Sequence, residues 1–502
     1  AGMNHGVILP LLLPLLTGSL LLLAHRQGAP FKRWVSLVAT WVQLPLALVL
    51  LSQADTGVLQ VYRLGDWAPP FGIVLMLDRL AALMLLLTAV LAGFAVLYAV
   101  RGDDERGPNF HALFQFQLAG INGAFLTGDL FNLFVFFEIL LISSYALLLH
   151  GQGAKRVQAG VHYVVLNLLG SSLFLISASM LYGLTGTLNM ADLAGRVGAA
   201  DPADAPLLAA AGYLLLVVFA LKAAIIPLYF WLPRAYASAT APVAALFAVM
   251  TKLGLYAIVR VFMLIYGSHA GVLSDMALDW LWPLSMLTLA GGVFGALAAR
   301  NLQILLSYLV VVSVGTLLAG IAMGTEPGLA AALYYLLHST LVSGGLFLLA
   351  DVIARQRGGS ASELISAPAL RQPLMLGTLF FAGAISIAGL PPFSGFLGKV
   401  MLLRAVPPGI DAAILWSVVL VGGLGMLIAL ARAGSMLFWR PSEAASVGRP
   451  ADPICLLAAF GLLLGSVVLV LLAQPIQAYM QATAAQLLDL RPYLQIVPGP
   501  DL

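Results

Sequence analysis

The sequence predicts an all-α polytopic membrane protein of about fourteen transmembrane helices, and three observations predict it. Of 502 residues, 61% are hydrophobic and only 9% are charged, where a soluble domain carries about 25% charged residues. Mean hydropathy is +1.01. The apolar residues fall in runs of the ~20 that a helix needs to cross hydrocarbon. The net charge of +3 is too small and too dispersed to suggest a nucleic-acid partner. A lone cysteine, Cys455, makes no internal disulfide and cannot hold an iron–sulfur cluster or a Cys-rich zinc site. No G-x-x-x-x-G-K-[ST] sequence points to ATP. No cofactor and no metal are expected.

Taken in order, the spans are expected at 7–24, 34–51, 74–98, 110–127, 130–149, 161–184, 207–229, 242–265, 280–299, 302–322, 329–353, 374–404, 411–437 and 453–473. The first run could be mistaken for a signal peptide. Ala1–Gly6 holds no Lys or Arg, however, and Leu23-Ala24-His25 is a poor cleavage site, so it reads as a retained helix. Gln474–Leu490 mixes polar and apolar residues and reads as an interfacial helix. With the N-terminus outside, inside loops hold Arg26, Lys32, Arg33, Arg101, Arg106, Lys155, Arg156, Arg234, Arg300, Arg355, Arg357, Arg371, Arg440 and Arg449. Outside loops hold Arg63, Arg196, Arg404 and Arg491. Fourteen cations against four set both termini on the outer side of the membrane. The longest loops leave no room for a soluble domain.

Two spans are interrupted at membrane depth. The seventh reads Phe219-Ala-Leu-Lys-Ala-Ala-Ile-Ile-Pro-Leu-Tyr-Phe-Trp-Leu-Pro233, and the twelfth Ile387-Ala-Gly-Leu-Pro-Pro-Phe-Ser-Gly-Phe-Leu-Gly-Lys399. Pro227, Pro391 and Pro392 each remove a backbone donor and clash with the preceding turn. Backbone groups freed in lipid need protein or water partners, so such breaks are expected to line a cavity. Paired broken helices are also a pointer to repeated transporter halves with ion sites at the break. Proline kinks that only shape packing are the alternative, but kinks alone need no lysine beside each.

Five ionisable residues lie inside apolar spans: Glu138, Lys222, Lys252, His338 and Lys399. A central Lys or Asp costs roughly 2.5–3.5 kcal/mol on insertion scales, which makes intramembrane charge a functional hypothesis by default. A desolvated lysine can exchange its proton near neutrality. His338 can pass a proton through either ring nitrogen, and no second His or Cys stands at ligand spacing beside it. The structural alternatives are a static ion pair for Glu138, snorkelling for Lys252 and a merely hydrogen-bonded ring for His338. Asp78-Arg79 reads as an interfacial pair. Asp129 and Asn132 lie near an interface, where they could help an access path. His162, Arg260, Asp351 and Arg432 sit close to helix ends, where snorkelling is cheap.

Gly128-Asp-Leu-Phe-Asn-Leu-Phe-Val-Phe-Phe-Glu-Ile-Leu-Leu-Ile-Ser-Ser-Tyr-Ala-Leu147 closely resembles the fifth helix of the D-type component of Mrp-type (Mnh, Sha or Pha) cation/proton antiporters. Leu221-Lys-Ala-Ala-Ile-Ile-Pro227 with the following Trp-Leu-Pro-Arg-Ala-Tyr-Ala, and Gly389-Leu-Pro-Pro-Phe-Ser-Gly-Phe-Leu-Gly-Lys399, are similar to signatures of the wider superfamily. That superfamily includes the antiporter-like subunits of respiratory complex I and of membrane-bound hydrogenases. The resemblance covers essentially the whole chain. It implies two inverted five-helix repeats, spans 4–8 (residues 110–265) and 9–13 (266–437), flanked by N-terminal helices at 1–109 and a C-terminal part at 438–502. The large A-type subunits are much longer than 502 residues. Lysine at 399 fits the D type, where some complex I relatives have glutamate.

The resemblance further implies that Glu138 pairs with Lys222, that Lys252 relays between the repeats, that His338 joins the relay and that Lys399 ends it. Its expected partners are the A, B, C, E, F and G components of an Mrp-type complex, membrane lipid, protons and Na⁺ or K⁺. The expected location is a bacterial cytoplasmic membrane. The function expected is proton translocation linked to monovalent cation exchange, as one subunit of a transporter and not as an enzyme. Two alternatives stand beside it: a proton-pumping subunit of a redox complex, and a scaffold whose buried charges only lock helices.

Overall fold

The structure is a computed structural model that describes residues 4–67, 69, 72–151 and 153–497; Ala1 and Gly2 lie outside them. It is all-helical apart from one small hairpin. The N-terminal part comprises α1 (Leu9–Leu23), α2 (Ala29–Ala54), β1 (Gln60–Arg63), β2 (Val74–Leu77) and α3 (Arg79–Ala99). β1 and β2 pair antiparallel, Gln60 opposite Leu77. Next come α4 (Phe110–Leu126), α5 (Leu130–Leu149), α6 (Ala154–Thr185), the short α7 (Met190–Gly198), α8 (Ala205–Ala223), α9 (Leu232–Ser238), α10 (Ala241–Phe247) and α11 (Met250–Arg260), which runs on into a π-helical turn over Val261–Ile265. Then follow α12 (Leu278–Ala298), α13 (Leu302–Ala322), α14 (Glu326–Arg355), α15 (Pro373–Ala388), α16 (Ser394–Ala405) and α17 (Ile410–Gly434). α18 (Pro453–Leu471), α19 (Ala473–Leu488) and α20 (Arg491–Leu494) complete the chain.

Among the described residues, eleven helices are long and apolar enough to cross a membrane. The other three expected spans appear as the shorter helices α1 (15 residues) and α4 (17 residues) and as the broken pair α15–α16. Burial sorts them. The α10–α11 unit, α13 and α14 are almost wholly enclosed, whereas α2, α17 and α18 turn most of their surface outward, as lipid-facing or subunit-facing helices must. Close helix approach depends on small residues, as expected where no water drives association. A side chain at Gly254 would collide with the backbone of Ala223, so α11 lies directly against the end of α8. Likewise Gly395 lets α16 approach the Ser386 carbonyl of α15.

Both helix breaks are built alike. α8 ends with Ala224 in the left-handed conformation (φ 63°) and α15 with Gly389 (φ 86°). The amide of Ile225 bonds to Ala220 O and that of Leu390 to Ile385 O, closing each helix in the same way. A cis prolyl bond follows in each, Ile226-Pro227 and Pro391-Pro392. The second break lines a small cavity of about 80 Å³ through Ser386 and Phe393, whereas Pro227, Pro391 and Pro392 themselves are exposed on the outside of the chain. The freed backbone groups are met by side chains. Trp231 Nε1 donates to Leu221 O at 3.0 Å, Ile226 N donates to Thr288 Oγ1 at 3.0 Å, and Lys399 Nζ donates to Ala388 O at 2.8 Å.

Charge gathers at the two ends of the bundle. On the basic end, Arg33 of α2 donates two bonds to Asp104 (2.7 and 2.8 Å), and His111 of α4 lies 2.8 Å from the same carboxylate. Burial alone would raise the Asp104 pKa, but the Arg33 and His111 bonds outweigh it and hold the carboxyl at about 2. Nearby, Arg355 of α14 reaches both Asp103 and Asp351, and Tyr98 of α3 donates to Asp351. On the opposite end, Asp78 does not pair with Arg79. It is fully buried and takes two bonds from Arg260 (2.5 and 2.6 Å) and one from Tyr493 (2.6 Å). Arg79 instead contacts Asp55. Arg260 is therefore not a snorkelling residue: its partner lies 182 positions away, and the fork geometry makes burial tolerable. The segment expected to be interfacial, α19, packs inward through Met480, Thr483 and Leu487, and Tyr479 donates to Arg79 O.

Two outcomes follow. Asp78→Ala leaves Arg260 as an unpaired buried cation and is expected to cost about 3–5 kcal/mol, read as a lower melting temperature of the solubilised protein. The double variant Asp78→Ala/Arg260→Met should recover most of that loss. Because the Asp104 pKa is lowered from 3.8 to about 2, its stabilising contribution is complete above pH 3.8 and is lost as pH falls through 2. Acid titration followed by tryptophan fluorescence should show Arg33→Ala losing structure at higher pH than the parent.

Candidate functional site

The middle of the bundle holds the cationic side chains that the ends do not pair. Lys222 stands in the last turn of α8, just before the first break, with its ammonium 5.4 Å from the ring centroid of Phe137. Glu138, the next residue on α5, accepts a hydrogen bond from Ser171 of α6. The expected Glu138–Lys222 ion pair is thus not a direct contact. The two charges remain within electrostatic reach of each other, with Ser171 bonded to the carboxylate and the Phe137 ring beside the ammonium. Ser171 was not singled out from sequence, since a serine on a long apolar helix carries no signal of its own.

Lys252 is completely buried on α11. Its Nζ lies 3.2 Å from Thr251 Oγ1 and 3.3 Å from Ser313 Oγ of α13, and no carboxylate pairs with it. Snorkelling is ruled out by that position. Because Gly254 seats α11 against Ala223, Lys252 belongs to the same packed unit as Lys222. The hydroxyl of Ser313 then connects α11 to the second half of the chain.

His338 is completely buried on α14. Its Nδ1 lies 2.6 Å from Ser394 Oγ, the first residue of α16, and Tyr335 packs edge-on against its ring. Nε2 has no protein partner, and neither do the buried hydroxyls of Thr340 and Ser343 on the same helix. Lys399 is also buried. Its ammonium reaches back across the second break to Ala388 O, and Gly389 and Gly423 leave the space that its chain occupies. The structure therefore packs the helix that carries Lys252 against the end of α8 that carries Lys222, and sets His338 within electrostatic reach of Lys399 on α16.

The remaining candidates lie elsewhere. Asp129 caps α5 by accepting from Asn132 N, and its backbone bridges Asn189 at the end of the bundle opposite the basic one. His162 packs edge-on against Phe230, close to the surface. Asp78 is a structural partner of Arg260. Among the described residues, no three His, Cys, Asp or Glu side chains converge as a metal site would require.

A cavity of about 800 Å³ opens at the basic end, rimmed by Arg106, Lys155, Arg156 and Arg234 with Asp351 and Glu363. Its deeper lining includes Ala244 of α10 and Phe347 of α14. At 1.5 Å per residue, Phe347 stands about 13 Å along α14 from His338.

Residues 127–428 match the family described as NADH:quinone oxidoreductase/Mrp antiporter, transmembrane. A Rhizobium meliloti protein, named as the probable D component of a K(+)/H(+) antiporter, is 42% identical across 97% of this chain and 96% of its own length. An Alkalihalophilus pseudofirmus protein, named as the D component of a Na(+)/H(+) antiporter, is 36% identical, with 99% of each chain covered. A chain in the solved structure of the Mrp complex from Dietzia sp. DQ12-45-1b superposes with a TM-score of 0.87 at 29% identity, covering 99% of this chain and 100% of that one.

The absence of a carboxylate at Lys252 has a measurable consequence. Lys252→Met keeps the side-chain volume and removes an uncompensated buried charge, so the melting temperature should stay level or rise. Arg260→Met, which strands Asp78, should lower it. A large loss of stability in Lys252→Met would show a hidden counter-charge.

Proposed function

The chain belongs to the NADH:quinone oxidoreductase/Mrp antiporter family, and from that premise we propose that it is the proton-translocating, D-type component of a multisubunit monovalent cation/proton antiporter. One observation carries the reading most directly. Lys222, Lys252, His338 and Lys399 lie within apolar spans, and none has a carboxylate bound to it. A protein using charge only for cohesion would pair it, as Asp78 and Arg260 are paired.

In this reading Glu138 and Lys222 receive or release the proton at the first break, Lys252 passes it between halves, and His338 hands it on to Lys399 at the second. Low dielectric makes each protonation felt strongly at the next site. Movement runs in the membrane plane, between repeats at 110–265 and 266–437, while the basic-end cavity is the water-filled access from one face. The positive-inside bias puts that face on the cytoplasmic side and both termini on the outer side of a bacterial cytoplasmic membrane. The A, B, C, E, F and G components of an Mrp-type complex would complete the path for Na⁺ or K⁺. The relatives' names include both ions, and neither is favoured by the relay residues. As one part of a transporter the chain moves protons and is not an enzyme by this reading.

Everted vesicles holding the assembled complex test the proposal. Lys222→Ala and Glu138→Ala should each lower cation-driven proton exchange by roughly tenfold or more, with all components still co-purifying. Near-parental exchange in a correctly assembled complex would overturn it. Co-purification with flavin or iron–sulfur proteins would move the chain to a redox complex instead.

A further inference from the structure

The relay residues account for His338 but not for what lies behind it. Ser394 Oγ, 2.6 Å from His338 Nδ1, is itself 2.7 Å from Ser466 Oγ of α18. Ser466 Oγ also accepts from the Ser394 amide (3.1 Å) and lies 2.6 Å from Ser386 Oγ at the end of α15. All three serines are essentially fully buried. They form an unbranched chain of hydroxyls from the imidazole to a cavity of about 80 Å³ that Ser386 and Ser466 help to line.

Each hydroxyl has one proton and two acceptor positions. Ser466 gives up one acceptor position to the Ser394 amide, so its two hydroxyl neighbours must be one donor and one acceptor. The chain therefore has only two complete orderings. In the first, His338 Nδ1–H donates to Ser394, Ser394 to Ser466 and Ser466 to Ser386. In the second every bond reverses: Ser386 donates to Ser466, Ser466 to Ser394, and Ser394 to an unprotonated Nδ1. Both satisfy the same number of groups. They differ in what they leave at Nε2, which no protein group holds. The first presents Nε2 as a proton acceptor, the second presents it as a donor.

We propose that Ser394, Ser466 and Ser386 are positioning residues that set the tautomer of His338, switching Nε2 between acceptor and donor as the hydroxyl chain reverses. The reversal is a relay of protons: Nδ1 passes its proton to Ser394, Ser394 its own to Ser466 and Ser466 its own to Ser386, and each hydroxyl ends with one proton. As Nε2 takes up a proton, Nδ1 gives one to Ser394 and Ser386 releases one to a water in the cavity it lines, so one proton enters at the ring, one leaves at the far end, and the second ordering remains. Lys399 and Tyr335 are the titratable groups that face the ring, and neither bonds to it. The cavity beside Ser386 has room for a water to satisfy the end of the chain in either ordering.

The inference rests on the relay reading of His338, and the assay separates the two. In the assembled complex, Ser466→Ala cuts the chain at its centre and should slow exchange roughly five- to tenfold, the worth of one buried hydrogen bond. Ser466→Thr keeps the hydroxyl, has the cavity for its methyl, and should restore the rate. Ring ¹⁵N spectra of labelled complex should show His338 in two tautomers in the parent and a single one in Ser466→Ala. Ser386→Ala, which shortens the chain without touching α18, should give the same spectral change if Ser466→Ala assembles poorly. Loss of exchange in His338→Ala together with parental rate and spectrum in both serine variants would overturn this inference and leave the relay standing. Full exchange in His338→Ala would remove both.

Discussion

Inside hydrocarbon no water is available to satisfy a free amide, a free carbonyl or a charge, and the architecture of this chain follows from that constraint. The two broken helices are where it presses hardest. Each break frees backbone groups, and in each a side chain from elsewhere in the fold satisfies them: Trp231 and Thr288 at the first, Lys399 and Ser466 at the second. The breaks consequently need no large cavity, and their prolines turn outward. Polar side chains thus gather at the depth of the breaks, and the ionisable ones sit among them.

The buried charges divide into two sets by what touches them. Asp78 with Arg260 and Tyr493, and Asp104 with Arg33 and His111, have their lone pairs and protons matched by two or more partners. These sets lie at the two ends of the bundle and connect helices remote in sequence, α3 to α11 and α20, α2 to α4. The second set, Lys222, Lys252, His338 and Lys399, is held by single hydroxyls, one carbonyl or an aromatic face. A group with many partners keeps its protonation state, because every bond must be broken for it to change. Sparse partnering is what a proton carrier requires, and two of the four, Lys252 and His338, stand on the most enclosed helices.

Much of this was readable from the sequence, because its signals are local. Span length, the two proline breaks and charge at mid-span are each contained within some twenty residues, and the structure shows an all-helical chain with helices ending at both proline segments. What was not readable depends on partners remote in the chain. Arg260 looked like a helix-end residue because nothing near it in sequence is acidic; Asp78 is 182 residues away. Asp78 looked like a partner of Arg79 because adjacency is visible and folding is not. Ser394 lay in plain view in the second break, yet its role depends on Ser466, a lone serine in an apolar helix and outside the residues that define the family. Glu138 and Lys222 lie within electrostatic reach without touching, and Ser171, which bonds to the carboxylate, carried no signal of its own in the sequence.

The lysines at the two breaks are also not equivalent by position. Pro227 and Pro392 stand 165 residues apart, as do Ala224 and Gly389. In that register Lys222 corresponds to Ile387, and Lys399 to Arg234, which rims the basic-end cavity. Yet each lysine is tied to the end of a helix at its break. Lys222 stands in the last turn of α8, and Lys399 donates to Ala388 O at the end of α15. The C-terminal end of a helix carries unsatisfied carbonyls and a partial negative charge, which favours a cation. A helix that stops in the middle of a membrane therefore creates a place where an ammonium is tolerated without a carboxylate. One half fills that place from the helix before the break, the other from the helix after it. The position of the charge is fixed by the break, and the residue number that supplies it is free to differ.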